Sequence, residues 1–231
     1  MIEFDINTKT IGEIVAHDYR AASIFKDAGI DFCCGGKARI EKTCREKGIN
    51  PASLFENIQK LESIPNTTTH NFNEWELDFL CDYIVNTHHK FVLKTLPELV
   101  QYTRKISTVH GDRHPELKEV ELLFSQINRE LLQHLKNEEE VLFPAIKAAL
   151  KNPSPEEKKL IQTEISRMSG EHELAGGAMD KINDLTINYL IPADSCNTYQ
   201  VTLKLLQQFE DDLHTHVHLE NNILYPKALK I

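Results

Sequence analysis

The motif H-x3-E-x3-L-[F/Y]-P occurs twice in this chain of 231 residues, and it constrains the fold more than any other feature. One copy spans His134–Pro144 and the other spans His216–Pro226, which begins 82 residues later. A histidine and a glutamate four residues apart lie on one face of a helix, about 6 Å apart along its axis. Each copy can therefore bring an imidazole nitrogen and a carboxylate to the same metal site.

Apolar residues recur at helical spacing through the part of the chain that contains both copies. The pattern predicts four long helices, over residues 73–108, 115–150, 155–190 and 197–229. Short segments rich in glycine, proline and small polar residues separate them, and Pro115 and Pro155 suit first-turn positions, where a missing N–H costs nothing. Short loops between long helices are typical of an antiparallel four-helix bundle, and we assign residues 74–231 to it.

Each predicted helix contains one histidine at a comparable height in such a bundle. The midpoints between His89, His134, His172 and His216, taken in order, fall at residues 111–112, 153 and 194. All three midpoints lie in predicted loops, so helices running up and down would place these four histidines at one level. Burial of the glutamates beside them would be costly without a cation. The predicted ligands are His89, His134, Glu138, His172, His216 and Glu220.

The composition of this ligand set favours iron. Four imidazoles and two carboxylates are too many ligands for one tetrahedral zinc ion and too rich in nitrogen for calcium. Imidazole suits iron, and carboxylates can bridge two ions. We expect a binuclear centre of two iron ions, each with two histidines, bridged by both glutamates and an oxo group from solvent. An open position on each ion would accept a small diatomic ligand, peroxide or water.

The first 64 residues differ from the bundle in charge and in pattern. Residues 1–64 have a net charge of −1 and residues 65–231 a net charge of −8. Short helical patterns in the first segment are separated by glycine-containing turns, and we assign residues 1–64 to a small helical domain. A polar stretch, Ser63–Asn71, contains a proline and no apolar period, and we interpret it as a linker.

Adjacent cysteines, Cys33 and Cys34, occupy a turn marked by Gly35 and Gly36 in the small domain. Successive side chains are expected to diverge, which makes such a pair a poor chelator of one tetrahedral metal and distinguishes it from C-x-x-C sites. A structural role for two partly buried thiols and a functional role in thiol chemistry or transient iron handling both stay open.

Composition excludes several classes of protein. The net charge of −9 argues against general nucleic-acid binding, which needs a basic face. Apolar runs fall far short of the roughly 20 residues that span a membrane. The N-terminus does not resemble a secretion signal, and an odd count of five cysteines suggests a reducing compartment, so we expect a cytoplasmic protein.

The motifs together resemble known families. The bundle is similar to hemerythrin, and the whole chain resembles the bacterial iron–sulfur cluster repair di-iron proteins of the ScdA and YtfE type. The resemblance rests on the Cys-Cys-Gly-Gly turn, His88-His89 followed by Leu-Pro-Glu-Leu, Val-His-Gly-Asp at 109–112, Gly-Glu-His-Glu at 170–173 and both H-x3-E repeats. It implies the same six ligands, with Glu138 and Glu220 as bridges. His88 is the alternative to His89, which the spacing to the Leu-Pro step favours.

The resemblance also implies a function. Members of this family respond to nitrosative and oxidative stress and restore damaged iron–sulfur clusters by supplying iron, which is a repair role more than an enzymatic one, with no catalytic residue. It implies clients that are damaged iron–sulfur proteins, reaction with NO, and a homodimer. Two alternatives use the same irons: a nitric oxide or peroxide reductase, and a sensor or carrier of O2 or NO.

Overall fold

The computed structural model of the protein describes residues 8–62 and 71–231, and these residues form helices joined by loops, apart from one isolated β-bridge between Thr10 and Arg39. The predicted all-α fold class is confirmed. In chain order the α-helices are α1 (Ile11–His17), α2 (Ala21–Asp27), α3 (Ile40–Lys47), α4 (Pro51–Glu62), α5 (Leu77–Ile84), α6 (Lys90–His110), α7 (Glu116–Asn137), α8 (Phe143–Lys151), α9 (Pro155–Leu185), α10 (Asn197–Leu219) and α11 (Tyr225–Ala228). Apart from Asn71, the predicted linker lies outside the described residues.

The described residues up to Leu80 form one compact unit together with Val217–Lys230. Helix α1 begins with a capping box, in which the Thr10 hydroxyl accepts from the backbone N–H of Glu13 and the Glu13 carboxylate accepts from that of Thr10. The buried core of this unit includes Ile11, Ile14, Val15, Phe25, Phe32, Ile40, Leu54 and Ile58.

The second compact unit comprises Cys81–His216 and contains most of the four long helical segments. Ion pairs between neighbouring segments show that they run antiparallel. Asp82 pairs with Lys147 and His89 with Glu138, so the first two segments run in opposite directions. Likewise, Glu119 pairs with Lys181 and His134 with Glu171, so α7 and α9 are antiparallel.

The first and last segments are antiparallel as well. His110, at the end of α6, packs on Tyr199 near the start of α10, while His89 packs on His216 near the end of α10. The rings of Phe124 and Phe209 meet edge to face, 5.4 Å apart, in the core between α7 and α10. Among the described helices, none is long and apolar enough to cross a lipid bilayer.

Two of the predicted helix boundaries differ from the structure by more than two residues. Helix α5 begins at Leu77, not at residue 73, because Phe72–Glu74 form a 3₁₀ turn ahead of it. Helix α9 ends at Leu185, not at residue 190. Ile187, Asn188 and Tyr189 all have φ angles of 53–56°, and this left-handed backbone cannot continue a right-handed helix. Pro155 is the first residue of α9, as predicted, and Ser154 caps it.

Candidate metal centre

Three of the four long segments contain a π-helical turn, and each turn includes a predicted ligand. The turns are Val85–His89, Glu138–Leu142 and Glu220–Leu224. In the last two, the N–H of the residue after the turn donates to the carbonyl of the glutamate five residues earlier. Such turns within α-helices are frequent at functional sites, and they change the direction of side chains without ending the helix.

The two motif prolines explain why the helix is π at these places. Pro144 and Pro226 follow the π turns and have no N–H to donate, so the carbonyls of Glu140 and Asn222 lack their usual α-helical donor. A wider turn accommodates both the missing donor and the proline ring. The sequence L-[F/Y]-P that ends each motif is therefore a signal for the π turn, and hence for the placement of the preceding glutamate.

Glu138 lies at the middle of the candidate site and is fully buried. Its Oε2 atom is 3.4 Å from Nε2 of His89 and 3.3 Å from Nε2 of His134. Burial on its own raises the pKa of the Glu138 carboxyl, but the imidazoles of His134 and His89 outweigh it and hold that pKa well below its usual value. Glu138 is therefore an anion in the core, in contact with two imidazoles.

The other histidines of this unit complete two groups around the same carboxylate. Ligand atoms of His134, Glu138 and His172 lie within 4.8 Å of one another, and Nε2 of His172 is 3.1 Å from Nε2 of His134. Ligand atoms of His89, Glu138 and His216 also lie within 4.8 Å of one another. All of these residues are buried. Two sets of two imidazoles thus share one carboxylate, which is the pattern expected of a binuclear site.

Carboxylates outside the cluster orient two of the imidazoles. Nδ1 of His89 is 2.8 Å from Oε1 of Glu139, and Nδ1 of His134 is 2.7 Å from Oε2 of Glu171. The bond from His134 lowers the pKa of Glu171, against the opposing effect of its partial burial, so Glu171 accepts the Nδ1 proton as a carboxylate. With Nδ1 protonated, the Nε2 lone pair faces the site, as in histidine ligands of metals generally.

The structure places His88 and His89 in different environments. Nε2 of His89 points to Glu138, whereas Nδ1 of His88 is 2.9 Å from Oδ1 of Asp212 and its ring stacks on His216 at 5.5 Å. Within the described part of the chain, the groups of possible metal ligands contain His89 and not His88. His88 thus contacts the back of His216, and His89 faces the carboxylate.

Glu220 belongs by its contacts to the first compact unit, together with the residues that follow it. It is fully buried and begins a π turn that continues α10 directly, so it lies one helical turn after His216. It holds the same place in the second motif copy as Glu138 does in the first.

The donor set fits iron. Imidazole nitrogens and a shared carboxylate are hard-to-borderline ligands suited to iron, and the described cluster contains no thiolate of the kind that structural zinc sites favour. The residues present are therefore a chemically suitable holder for iron.

The side chains of the adjacent cysteines in the first unit lie closer together than predicted. Cys33 is buried, Cys34 is half-buried, and their Sγ atoms lie 3.9 Å apart. The expectation that the two side chains diverge is wrong for this turn, because the backbone at Cys34 is helical and leads into a 3₁₀ turn at Gly35–Lys37. The Cys34 thiol, burial and the Asp31 carboxylate together raise the pKa of Cys33 well above its usual value.

Comparison with known proteins agrees with both parts of the chain. A family model described as the hemerythrin HHE cation-binding domain matches residues 82–228, and the ScdA_N model, a domain of unknown function, matches residues 7–62. The iron–sulfur cluster repair protein YtfE of Musicola paradisiaca is 32% identical over 222 residues, 96% of each chain. The chain belongs to the iron–sulfur cluster repair protein family.

Other relatives in the repair family are similar over almost their whole length. YtfE of Yersinia pseudotuberculosis is 30% identical over 98% of this chain and 99% of its own. The repair protein ScdA of Staphylococcus epidermidis is 29% identical over 94% of this chain and 96% of its own. The repair-family resemblance stated from the motifs is therefore confirmed.

The carboxylates that orient the imidazoles of the candidate site could not be identified from the sequence patterns. Glu139 accepts from His89, and Asp212 lies 2.9 Å from Nδ1 of His88, and neither role follows from the helical pattern. Glu171, which accepts from His134, lies outside both H-x3-E repeats. Its signal was the adjacency to His172: a residue next to a ligand on a helix projects toward the neighbouring segment, here toward His134.

Proposed function

We propose that this protein holds two iron ions through His89, His134, Glu138, His172, His216 and Glu220, and repairs damaged iron–sulfur clusters by donating that iron. The observation that carries the proposal is the convergence of two imidazole pairs on the buried Glu138 carboxylate. Glu138 and Glu220 serve as the bridges, since they take equivalent places in the two motif copies. The relatives of the chain are named iron–sulfur cluster repair proteins, which supports the cellular role.

The buried ligands serve iron binding, and the partly exposed carboxylates beside them serve iron release. The buried imidazoles and carboxylates supply a nitrogen- and oxygen-rich site, from which iron leaves more readily than from a cage of thiolates. When bound, the irons supply open positions for NO, O2 or peroxide, as well as the iron that is donated. Glu139 and Glu171 orient His89 and His134 while their own side chains stay about one-third exposed, at 38% and 32%.

This partial exposure gives solvent protons access to the ligand set. A proton taken up by Glu171 would remove the acceptor that holds His134, and the same holds for Glu139 and His89. Metal affinity falls as its ligands gain protons, so the outer carboxylates provide a place where iron release can begin without unfolding the bundle.

The repair function is tested with a [4Fe–4S] dehydratase inactivated by peroxide and freed of loose iron. The full chain is loaded with ⁵⁷Fe and mixed with this enzyme, and the label is followed together with the recovery of activity. We expect the label to move into the enzyme in proportion to the activity regained, and the metal-free chain and the Glu138→Ala variant to give no recovery. Recovery with either of these, or with the label still in the bundle, would disprove iron donation.

The same mixture distinguishes the other uses of the irons. A reductase would consume many molecules of NO or peroxide per chain while keeping its label, and a sensor or carrier would bind NO or O2 reversibly with no transfer. Donation predicts a stoichiometric loss of label to the client.

A further inference from the structure

The Cys-Cys-Gly-Gly turn is fixed from one side by Asp31. Oδ1 of Asp31 accepts from the backbone N–H of Cys33 at 2.8 Å and of Cys34 at 3.0 Å, and Oδ2 accepts from that of Gly35 at 2.7 Å. The Cys33 thiol also lies 3.1 Å from Oδ1. Because three successive N–H groups point at one carboxylate, the two cysteine side chains emerge from a backbone with little freedom.

Asn222 fixes the same turn from the other side. Its side-chain amide donates to the carbonyls of Phe32, at 3.2 Å, and Cys33, at 3.1 Å. Two glycines make room for it: a Cβ added at Gly12 or Gly36 would lie 2.1 or 2.5 Å from Oδ1 of Asn222. The carbonyls and the N–H groups of the turn are thus both held by side chains, and the turn is built more rigidly than a surface loop requires.

The position of the two sulfur atoms matches one edge of a metal tetrahedron. Two thiolates bound to one ion at about 2.3 Å in tetrahedral geometry are about 3.8 Å apart. The Sγ atoms of Cys33 and Cys34 are 3.9 Å apart, and ligand atoms of Asp31 and both cysteines lie within 4.8 Å of one another. Oδ2 of Asp31 can take a second partner besides the Gly35 N–H, because a carboxylate oxygen has two lone-pair sites.

We propose that Asp31, Cys33 and Cys34 form a second metal site, which binds a thiophilic divalent cation such as ferrous iron in transit. Binding forms two metal–sulfur bonds and releases the two thiol protons to solvent, with no change in oxidation state. Three protein ligands leave a fourth position for an acceptor or a water, and the half-buried Cys34 gives the site contact with solvent. A structural site would be closed by four ligands, so this arrangement suits exchange. It shares no residue with the ligand set in the bundle.

Cadmium chloride is a suitable probe, since its thiolate complexes absorb in the near ultraviolet and its complexes with imidazole and carboxylate do not. The iron-loaded full chain, with reduced thiols, is titrated while absorbance and bundle iron are recorded. We expect the thiolate band to saturate at one cadmium per chain. Cys33→Ser and Cys34→Ser should each lose most of the band, whereas Cys196→Ser, which removes an exposed thiol elsewhere, should keep it.

Two further experiments distinguish loss of the metal site from misfolding of a variant. Capping Cys34 with N-ethylmaleimide on the folded wild-type chain should abolish the band without any mutation. Asn222→Ala should weaken cadmium binding about tenfold or more while keeping the stoichiometry, because only the preorganisation of the turn is lost.

Several results would overturn the proposal. The wild-type chain could give no thiolate band, the Cys33→Ser/Cys34→Ser double variant could keep it, or the band could saturate at one cadmium per two chains, which indicates a cation shared between molecules. Equal affinity in Asn222→Ala would disprove preorganisation by that residue. The iron content of the bundle is read in the same samples, so failure of this site is distinguishable from failure of the di-iron proposal.

Discussion

Nδ1 of His134 on α7 lies 2.7 Å from Oε2 of Glu171 on α9, so a partly exposed carboxylate holds a buried imidazole whose Nε2 faces Glu138. This bond connects the surface of the bundle to its candidate metal centre. It also links α7 to α9 beside His172. The same bond accounts for the orientation of the His134 ring.

Removing the acceptor at Glu171 should weaken metal retention. Glu171→Gln keeps the size of the side chain but loses the charge, and outer-shell changes of this kind typically cost about 10–100-fold in metal affinity. The rate of iron transfer to a chelator measures the effect. Glu173→Gln, an exposed glutamate on the same helix, is the matched control. Equal rates for both variants would show that Glu171 does not support a ligand.

The two neighbouring histidines of the first segment should differ in their effect on iron content. His89→Ala removes an imidazole beside Glu138, and we expect it to bind about one iron per chain in place of two. His88→Gln keeps a polar partner for Asp212 and should retain both irons with a small change in the visible spectrum. Metal analysis of both variants decides the matter, and the opposite pattern would assign the ligand to His88.

The fold could be predicted from the sequence because it depends on periodicity, and the candidate ligands were proposed from the same periodicity. Helical spacing gave the four segments, and the level of the histidines follows from segment length alone. The partners Glu139, Glu171 and Asp212 could not be predicted in this way, since a bond between two segments depends on how far each helix is rotated about its axis. In the first two segments that rotation changes at a π turn, which a regular 3.6-residue period does not contain.

The contact between Asn222 and Gly36 could not be predicted from the sequence either, because it joins residues 186 positions apart. Gly36 lies in a 3₁₀ turn. From the sequence alone, a glycine at this position indicates only a flexible backbone. The structure shows that the residue is small because the amide of Asn222 fills the space where a Cβ would be.

Gly36→Ala should therefore destabilise the protein, and a second change should relieve it. The three atoms nearest to the added Cβ all belong to Asn222, so we expect Gly36→Ala to lose about 1–3 kcal/mol of unfolding free energy. The Gly36→Ala/Asn222→Ala double variant should be more stable than the sum of the single changes predicts. Urea unfolding of the four proteins gives the coupling, and strict additivity would mean that the two positions do not compete for space.

Acid should destabilise the chain partly through His218. Burial lowers the pKa of His218 to about 3, whereas in the unfolded chain it is near its usual value of 6.5. Between these values the unfolded chain takes up a proton that the folded chain excludes. The contribution to stability is therefore complete above about pH 6.5 and falls toward pH 3, with a slope of up to about 1.4 kcal/mol per pH unit.

His218→Gln tests this dependence while keeping an acceptor for the Asn222 amide, which lies 3.1 Å from Nδ1 of His218. Urea unfolding of both iron-free proteins at pH 7, 6 and 5 should show a smaller loss of stability on acidification in the variant. Parallel pH profiles would show that His218 titrates alike in the folded and unfolded chains.

Iron binding by the full chain is the most direct test of the proposed binuclear iron site, which is built on two copies of one motif. The metal-free protein is titrated with ferrous iron without oxygen, and bound iron is counted in the wild type, Glu138→Ala and Glu220→Ala. We predict two irons per chain in the wild type, and a loss of at least one in each variant because both bridges are needed. A wild-type chain that binds a single iron, or variants that still bind two with unchanged affinity, would contradict it.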